Sequence, residues 1–398
     1  MTSPPAEQGA LARSAAILSV GFLVLFVGGG SRFAIGLTLK PMAEDLGWSR
    51  STLGLAVAVF LIVSATCMFF SGRLIDRFSA RLVLGGGLLI GAIGIGAMYL
   101  VAAPWQAFLL YGGVFAIGNG IASITPVGVM VSRRFPGRIG LANALVTTGI
   151  GVGQLVIIAA LAAVLVDIGW RAVFLWLGLA NLVLVPVVIA AIAGRGDRAT
   201  AAPAAETGSG LAAAARTRRF WLLTGVYAIC GFQDFFVATH VVAFAQDRGV
   251  DTLFAGNLLA FMGLTGVIGV IASGLWSDRS GPVWATFACF LLRIVVFTLI
   301  IMNQDTLSVA AFALLFGITF WVTAPLTVIF AREAFGMTHL GAVSGLIVMV
   351  HHMCGGLGAY VGAALFDANG SYDAAFVLML VLSVTAAVLT LPLRAAAR

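Results

Sequence analysis

Long stretches of apolar residues with almost no charge recur along the entire chain. About 20 apolar residues cross the hydrocarbon core of a bilayer as an α-helix, so these stretches predict a polytopic helical membrane protein. Of the 398 residues, 61% are hydrophobic and only 9% are charged, and the mean hydropathy is +1.10. Soluble proteins carry about 25% charged residues. The composition therefore excludes a soluble enzyme, a nucleic-acid-binding protein and a disordered scaffold.

The predicted spans form two sets of six. The first set covers 15–41, 50–71, 82–103, 105–132, 139–166 and 170–193. The second set covers 220–246, 252–276, 283–303, 306–331, 340–366 and 373–394. The segment between the sets is rich in Gly, Ala, Pro and charge, which predicts a linker. We expect an N-terminal six-helix bundle in 1–193, a cytoplasmic linker in 194–219 and a C-terminal six-helix bundle in 220–398.

The basic residues predict the orientation of these helices. Most of the 22 lie on the side of the termini and the linker, and this asymmetry predicts that both termini are cytoplasmic. The remaining basic residues lie on the opposite side or inside a span: Lys40, Arg50, Arg171, Arg248, Arg32 and Arg293. The formal net charge of +7 fits loops that face an anionic membrane leaflet and requires no nucleic acid. Because the first span is too long for the apolar region of a signal peptide, we expect it to be retained.

The two sets repeat one another. The sequence GRLIDR at Gly72–Arg77 recurs as GLWSDR at Gly274–Arg279, and Asp167 recurs as Asp367 in the matching turn. Many secondary transporters consist of six-helix repeats with the substrate site at the repeat interface. We therefore expect an all-α integral membrane protein with 12 transmembrane helices in two pseudo-symmetric bundles.

The repeated loops resemble the cytoplasmic loop signature of the major facilitator superfamily. The matching residues are Gly72, Asp76, Arg77, Arg81, Gly274, Asp278 and Arg279. The resemblance implies that these latch residues join the cytoplasmic helix ends in one state of a transport cycle, because acidic side chains accept from helix N termini and arginines bind carbonyl ends. The alternative is that they are ordinary basic and acidic loop residues.

A narrower resemblance is to bacterial monocarboxylate-transporter-like members of that superfamily, which include relatives of oxalate/formate exchangers. The matching segments are Gly28–Ala56, Thr239–Val250 and His351–Phe376. This resemblance implies transport of a small carboxylate with a proton or in exchange for another anion. Better-known members carry an arginine in helix 8, but the eighth span here, 252–276, has no basic residue.

Arg32 and Asp234 are charged residues inside the predicted membrane core. A charge at the bilayer centre costs about 2.5–3.5 kcal/mol on insertion scales, so such residues usually face a cavity or a partner. Arg32 follows three glycines, and Asp234 lies at the equivalent position of the second half. We expect the two side chains to approach across the central cavity, with Arg32 binding a carboxylate and Asp234 coupling a proton. The alternatives are a permanent ion pair between the halves and an Arg32 that extends to the outer surface.

Three histidines are candidate proton carriers, because histidine titrates near physiological pH. His240 lies toward the outer end of helix 7, and His351 and His352 lie at mid-depth of helix 11 in place of the lysine of the oxalate/formate exchanger. Adjacent residues on a helix point about 100° apart, so at most one of these two faces the cavity squarely. His351 is also a candidate substrate ligand. Packing of each histidine as a hydrogen-bonded core residue is the alternative.

Four further residues are candidate substrate ligands at the same depth: Arg293, Asn119, Gln154 and Trp321. Arg293 lies at the centre of helix 9, where it either binds the substrate or packs inward against a neighbouring helix. Asn119 and Gln154 can hydrogen-bond a carboxylate or hydroxyl, and Trp321 can line an apolar tail. Interhelical packing is the alternative for each. The spacing of the histidines and carboxylates does not indicate a metal site.

The hypothesis from these patterns is a secondary transporter of the cytoplasmic membrane that carries a small organic anion, a monocarboxylate, with protons by alternating access. We expect a monomer that contacts lipids and has no cofactor, metal or enzymatic activity. An exporter of drugs or metabolites with the same fold is the first alternative. A membrane sensor without net transport is the second.

Overall fold

The computed structural model describes residues 5–135, 139–192, 212–323, 326–327, 329–330, 333 and 340–396. Throughout this part of the chain the regular structure is helical, with no β-strand. The helices of the first half are α1 (Pro5–Leu46), α2 (Arg50–Arg77), α3 (Ala80–Ala97), α4 (Pro104–Arg134), α5 (139–168) and α6 (170–191). Those of the second half are α7 (Arg218–Asp247), α8 (Thr252–Ser280), α9 (Pro282–Met302), α10 (Thr306–Phe320), α11 (Leu340–Asn369) and α12 (Asp373–Thr390).

These helices agree with the predicted spans. Ten described segments are long and apolar enough to cross a membrane, and one of them, Ala142–Ala191, reverses direction at Gly169 and so contains both α5 and α6. Gly169 has a φ of 73°, a left-handed conformation that glycine adopts without strain. The shorter apolar helix α10 completes the twelve. The predicted linker at 194–219 lies outside the described residues as far as residue 211.

Two helices differ from their predicted extents. The tenth span was predicted as one helix over 306–331, but it is interrupted: α10 ends at Phe320, a turn follows at Trp321, and the described residues from 323 onward are helical again. Within α4, Phe108–Phe115 forms a π-helical segment, and the helix is interrupted after Ile121. Such interruptions occur in membrane helices where the backbone is buried in protein or lines a cavity.

Side-chain caps define where several helices begin. The Ser49 hydroxyl accepts from the backbone N–H of Thr52 at the start of α2, and Asp251 does the same for Phe254 in α8. Each cap satisfies an N–H that has no partner within the helix. These capped starts lie at one end of the molecule, opposite the end where α6 ends and α7 begins. We refer to these as the far end and the linker end.

Among the described residues, the apolar cluster that both halves share lies toward the far end. There, one cluster of buried apolar residues includes Phe33 and Phe60 of the first half with Phe236 and Phe244 of the second. Toward the linker end, the described apolar residues form two separate clusters, one within each half. The helices cross closely in the shared region, since a Cβ added at Gly36 would contact the Ala238 carbonyl oxygen.

Candidate functional site

Arg293 lies at the centre of a buried polar cluster in the second half. Its Nη2 donates to Asp234 Oδ1 at 2.6 Å and to the Thr319 carbonyl oxygen at 3.2 Å. Its Nη1 donates to Gln233 Oε1 at 3.0 Å and to the Cys230 carbonyl oxygen at 3.4 Å, and its Nε donates to Thr319 Oγ1 at 3.1 Å. All five N–H donors of the guanidinium therefore have protein acceptors.

Of the two alternatives for Arg293, this conformation shows inward packing, and its role as a substrate ligand stays a prediction. Its side chain is 0% exposed and has no free donor in this conformation. The sequence predicted Arg293 at the centre of helix 9, and α9 directs its side chain inward against α7 and α10. Gln233 and Asp234 follow Cys230 by three and four residues, so the three side chains share one face of α7. This spacing is the sequence signal that could have indicated the cluster.

Asp234 accepts hydrogen bonds on both carboxylate oxygens. Besides the bond from Arg293 to Oδ1, His351 Nε2 donates to Oδ2 at 3.3 Å, and the Cys230 sulfur lies 3.4 Å from the same oxygen. The Asp234 side chain is 3% exposed, whereas that of His351 is 15% exposed. His351 therefore connects the buried carboxylate to the more accessible part of the interior.

Arg32 and Asp234 form no ion pair in this conformation, so the alternative of a permanent pair between the halves is not observed. Among the described residues, Asp234 forms ion pairs with Arg293 and His351, and Arg32 forms none. Arg293, which is buried beside Asp234 in the same half, forms the ion pair that neutralises the carboxylate.

Arg32 instead lies between the halves without an acidic partner among the described residues. Its guanidinium carbon is 4.6 Å from the ring centre of Phe235, and its Nε is buried with no hydrogen-bond partner. It borders a cavity of about 10 Å³ that is otherwise lined mainly by apolar side chains of both halves. The Tyr111 hydroxyl donates to the Arg32 carbonyl oxygen at 3.2 Å. A buried guanidinium with an unused donor is suited to an anion.

His352 lies on the Arg32 side of the interior rather than beside Asp234. Its ring centre is 5.4 Å from that of Phe235, the ring that Arg32 also contacts. Its Nδ1 lies 2.9 Å from the Val348 carbonyl oxygen, which can only accept, so Nδ1 carries a hydrogen. The two adjacent histidines thus have different polar partners, although the ring centre of His351 also lies 6.1 Å from that of Phe235.

His240 lies apart from these residues, nearer the far end. It is 1% exposed, and its two ring nitrogens contact the Ala359 carbonyl oxygen at 2.8 Å and the Tyr372 hydroxyl at 3.1 Å. His240 therefore does not join the cluster around Asp234, and its part in proton coupling stays a prediction.

The uncharged candidates contact other helices and leave some polar atoms unused. Gln154 Nε2 donates across the halves to the Leu259 carbonyl oxygen at 2.9 Å, whereas its Oε1 is buried without a partner. Trp321 packs edge-on against Phe33, and its Nε1 is also buried without a partner. Asn119 Oδ1 accepts from the Ser64 hydroxyl at 3.3 Å. Their roles as substrate ligands stay predictions.

The predicted latch residues lie at the linker end. Four of them are exposed and take part in no ion pair among the described residues: Arg77, Arg81, Asp278 and Arg279. The Asp76 side chain lies outside the described residues. Gly72 faces Thr125 at ordinary contact distance, and Gly274 faces open space. The latching role therefore stays a prediction for another conformation.

One group among the described residues has potential ligand atoms that could surround a metal ion: Cys230, Asp234 and His351. These atoms lie within 4.8 Å of one another. The Arg293 guanidinium already neutralises the Asp234 carboxylate at 2.6 Å. A cation would have to compete with it, so the charge balance favours the existing ion pair over a metal.

Comparisons of the sequence with known proteins identify its family. The family model described as Major Facilitator Superfamily matches residues 21–349 and 223–398. The MFS-type transporter YcxA of Bacillus subtilis is 27% identical over 371 residues, which cover 85% of this chain and 87% of that protein. Monocarboxylate transporter 13 of Rattus norvegicus is 28% identical over 85% of this chain and 77% of its own length. The oxalate:formate antiporter of Oxalobacter formigenes is 25% identical over 71% of this chain and 66% of its own length.

Solved structures agree on the fold. A mutant of the nucleoside transporter NupG superimposes with a TM-score of 0.82 at 14% identity, over 96% of this chain and 99% of that chain. The D-xylose-proton symporter gives a TM-score of 0.76 at 15% identity, over 94% and 97% of the two chains. At these identities the structural similarity supports only the fold. The family model and the full-length relatives together establish that the chain belongs to the major facilitator superfamily and is a membrane transporter, not an enzyme.

Proposed function

We propose that this transporter carries a small monocarboxylate together with protons, and that Arg32 binds the carboxylate. The observation that carries the proposal is the buried Arg32 guanidinium between the halves, with an unused Nε donor and no acidic partner among the described residues. An uncompensated charge inside a membrane protein is costly, and a bound anion would offset that cost. Two relatives support a carboxylate, since their names describe a monocarboxylate transporter and an oxalate:formate antiporter.

Access to Arg32 requires a change of conformation. The cavity of about 10 Å³ beside it has room for one water molecule and excludes even a short acid. The shared core closes the far end, whereas at the linker end an open groove of about 600 Å³ is lined by α4 and α5 of the first half, with residues such as Thr125 and Asn143. Rocking of the two halves would expose Arg32 to each end in turn.

The cluster around Asp234 supports proton coupling. Asp234 directly precedes Phe235, against which Arg32 packs, so an anion bound to Arg32 adds negative charge near the carboxylate. A nearby like charge favours the protonated carboxyl. The proton would reach Asp234 through His351, whose Nε2 is 3.3 Å from Oδ2. Anion binding and proton uptake would then favour one another, as symport requires.

We further propose that the protein lies in the cytoplasmic membrane as a monomer with both termini cytoplasmic. The excess of basic residues at the linker end supports this orientation through the positive-inside rule. The linker end would then face the cytoplasm.

The test is uptake of labelled L-lactate, pyruvate and related short acids by proteoliposomes, with and without an inward proton gradient. We expect accumulation that the gradient stimulates. The matched control is R32Q, which removes the proposed anion ligand and should strongly reduce uptake at low substrate concentration without affecting the cluster around Asp234. Absence of uptake of every short acid by folded protein would overturn the proposal in favour of an exporter or another substrate class.

A further inference from the structure

Charged residues join the two halves at the far end. Asp247, at the end of α7, accepts from Lys40 Nζ at 2.9 Å. It also accepts two parallel bonds from Arg50, at 2.6 Å from Nη1 and 2.8 Å from Nη2. Lys40 and Arg50 belong to the first half and Asp247 to the second, so these bonds break when the far end opens. A bidentate arginine–carboxylate pair is among the stronger polar contacts in proteins.

The second half also caps the first turn of α2. Asp367, at the end of α11, accepts the backbone N–H groups of Arg50 at 3.1 Å and Ser51 at 2.8 Å. These N–H groups have no partner inside α2, and the positive end of the helix dipole favours a carboxylate there. We call the residues of these contacts the far-end gate: Lys40, Arg50, Ser51, Asp247 and Asp367.

A chain of hydrogen bonds runs from the gate into the protein. Arg50 Nη1 donates to the Tyr372 hydroxyl at 2.9 Å, and that hydroxyl lies 3.1 Å from His240 Nδ1. His240 Nε2 lies 2.8 Å from the Ala359 carbonyl oxygen, which can only accept. Nε2 therefore carries the hydrogen of a neutral ring, Nδ1 accepts from the tyrosine, and each bond donates in the same direction.

Uptake of a second proton by His240 would disrupt this chain. A hydrogen on Nδ1 would face the hydroxyl hydrogen of Tyr372, so the hydroxyl would have to rotate and lose its only acceptor. The same Tyr372 oxygen would then receive two cationic donors, Arg50 and the imidazolium. Both changes weaken the contact between Arg50 and Tyr372, and the added charge repels the Arg50 guanidinium.

We propose that His240 is a proton switch for the far-end gate, which is closed while the ring is neutral and opens when the ring takes up a proton. The proposal does not depend on the identity of the substrate. Asp247, whose side chain is 23% exposed, connects the chain of hydrogen bonds to the aqueous phase at the far end.

The groups around His240 are compatible with a switch. Arg50 from α2 opposes the protonated ring, whereas Asp367 from α11 favours it, and Lys40 and Asp247 lie behind Arg50. The rings of Phe236 and Tyr372 lie 5.5 and 5.2 Å from the imidazole, as ring centres, and can contact its cationic form. Among the described residues, Arg50 is the cation connected to His240 through the Tyr372 hydroxyl, so protonation acts first on the gate.

Pulsed electron-spin resonance can measure opening without substrate. Nitroxides would be placed on L100C of the first half and M302C of the second, both at the far end, where the native side chains are 71% and 81% exposed. The partly buried Cys67 and Cys354 would be replaced by alanine, whereas the buried Cys230 and Cys289 would be retained. On lowering the pH from about 8 to about 4, a range extended downward because the ring is buried, we expect a growing population of long distances.

Three variants identify the group responsible. H240Q can still accept from Tyr372 and donate to Ala359 but takes up no proton, so its distances should not change with pH. Y372F retains the ring and removes the linking hydroxyl, and it should also be insensitive to pH. H351Q removes the proton route proposed for transport and should keep the shift.

A wild-type protein without the shift, or the same shift in H240Q and Y372F, would overturn the switch. Loss of the shift in H351Q would assign the response to the Asp234 cluster and would also overturn it. Because these distances are measured without substrate, a failed switch leaves gradient-driven uptake as an independent test of the proposed function.

Discussion

The carboxylate of Asp234 and the guanidinium of Arg293 lie 2.6 Å apart in the interior of the second half, where both side chains are almost completely excluded from solvent. A buried ion pair gains little over an apolar pair of the same size, but removal of one partner leaves an uncompensated charge. The position of Asp234 is therefore explained by neutralisation of its charge within the second half and not by attraction between the halves.

Replacing Arg293 by glutamine should destabilise the protein strongly. Breaking a buried ion pair costs about 3–5 kcal/mol, and thermal unfolding in detergent would show the loss. R279Q is the matched control, because Arg279 is exposed at the linker end and should unfold like the wild type. The double variant D234N/R293Q should recover part of the lost stability. A single R293Q variant as stable as R279Q would show that Asp234 does not need Arg293.

Replacing Arg32 should affect transport more than stability. Arg32 has no acidic partner among the described residues, so R32Q should unfold near the wild-type temperature. Loss of charge-assisted hydrogen bonds worth about 1.5–3 kcal/mol should reduce uptake at low substrate concentration about tenfold or more. R32K keeps the charge but loses the planar fork and should retain an intermediate rate. Full uptake by R32Q would contradict the assignment of Arg32 to the anion.

His351 should determine how uptake depends on pH. In the wild type we expect uptake to rise as the external pH falls, because protons are co-substrates. H351Q removes the donor 3.3 Å from Asp234 and should flatten this dependence. H352Q is the comparison, since His352 contacts Phe235 rather than Asp234 and should keep the slope with pH. Initial rates of uptake across the pH range would distinguish the two histidines, and equal slopes in both variants would remove His351 from the proton route.

Closure of the far end should depend on the small size of Gly36. A Cβ at this position would contact the Ala238 carbonyl oxygen of the other half, so G36V should prevent close approach of α1 and α7. Because alternating access requires both closed states, we expect G36V to be nearly inactive in uptake. At Gly225 an added Cβ meets nothing within 4 Å, and G225A should transport normally. Normal uptake by G36V would show that this crossing need not close.

Much of the fold could be predicted from the sequence, because crossing a bilayer imposes a length and a composition on each helix. The twelve helices and the interior position of Arg32 follow from those constraints. The partner of Asp234 does not, because it depends on which face α9 turns toward α7. Apolar residues surround Arg293 in the sequence on all sides of its helix, so no periodic pattern indicates the orientation of its side chain.

The far-end gate shows a second limit of sequence reasoning. The sequence predicted Arg50 on the side opposite the termini and Asp367 in the turn into helix 12. In the structure Arg50 is the first residue of α2, and Asp367 lies in the last turn of α11. That both belong to one hydrogen-bonded group with Asp247 follows only from the way α2, α7 and α11 converge. Contacts between segments more than 190 residues apart carry no local signal in the chain.

The separate apolar clusters at the linker end have a consequence for biosynthesis. Each is assembled from one half alone, so the first six helices contain all the partners of their own cluster before the second six have been synthesised. Because chains fold as units from the N terminus during synthesis, the first half can acquire a packed interior while the ribosome is still translating the second. The shared cluster and the far-end gate are then the last parts to assemble, and the same contacts that complete biogenesis are the ones that each transport cycle must undo.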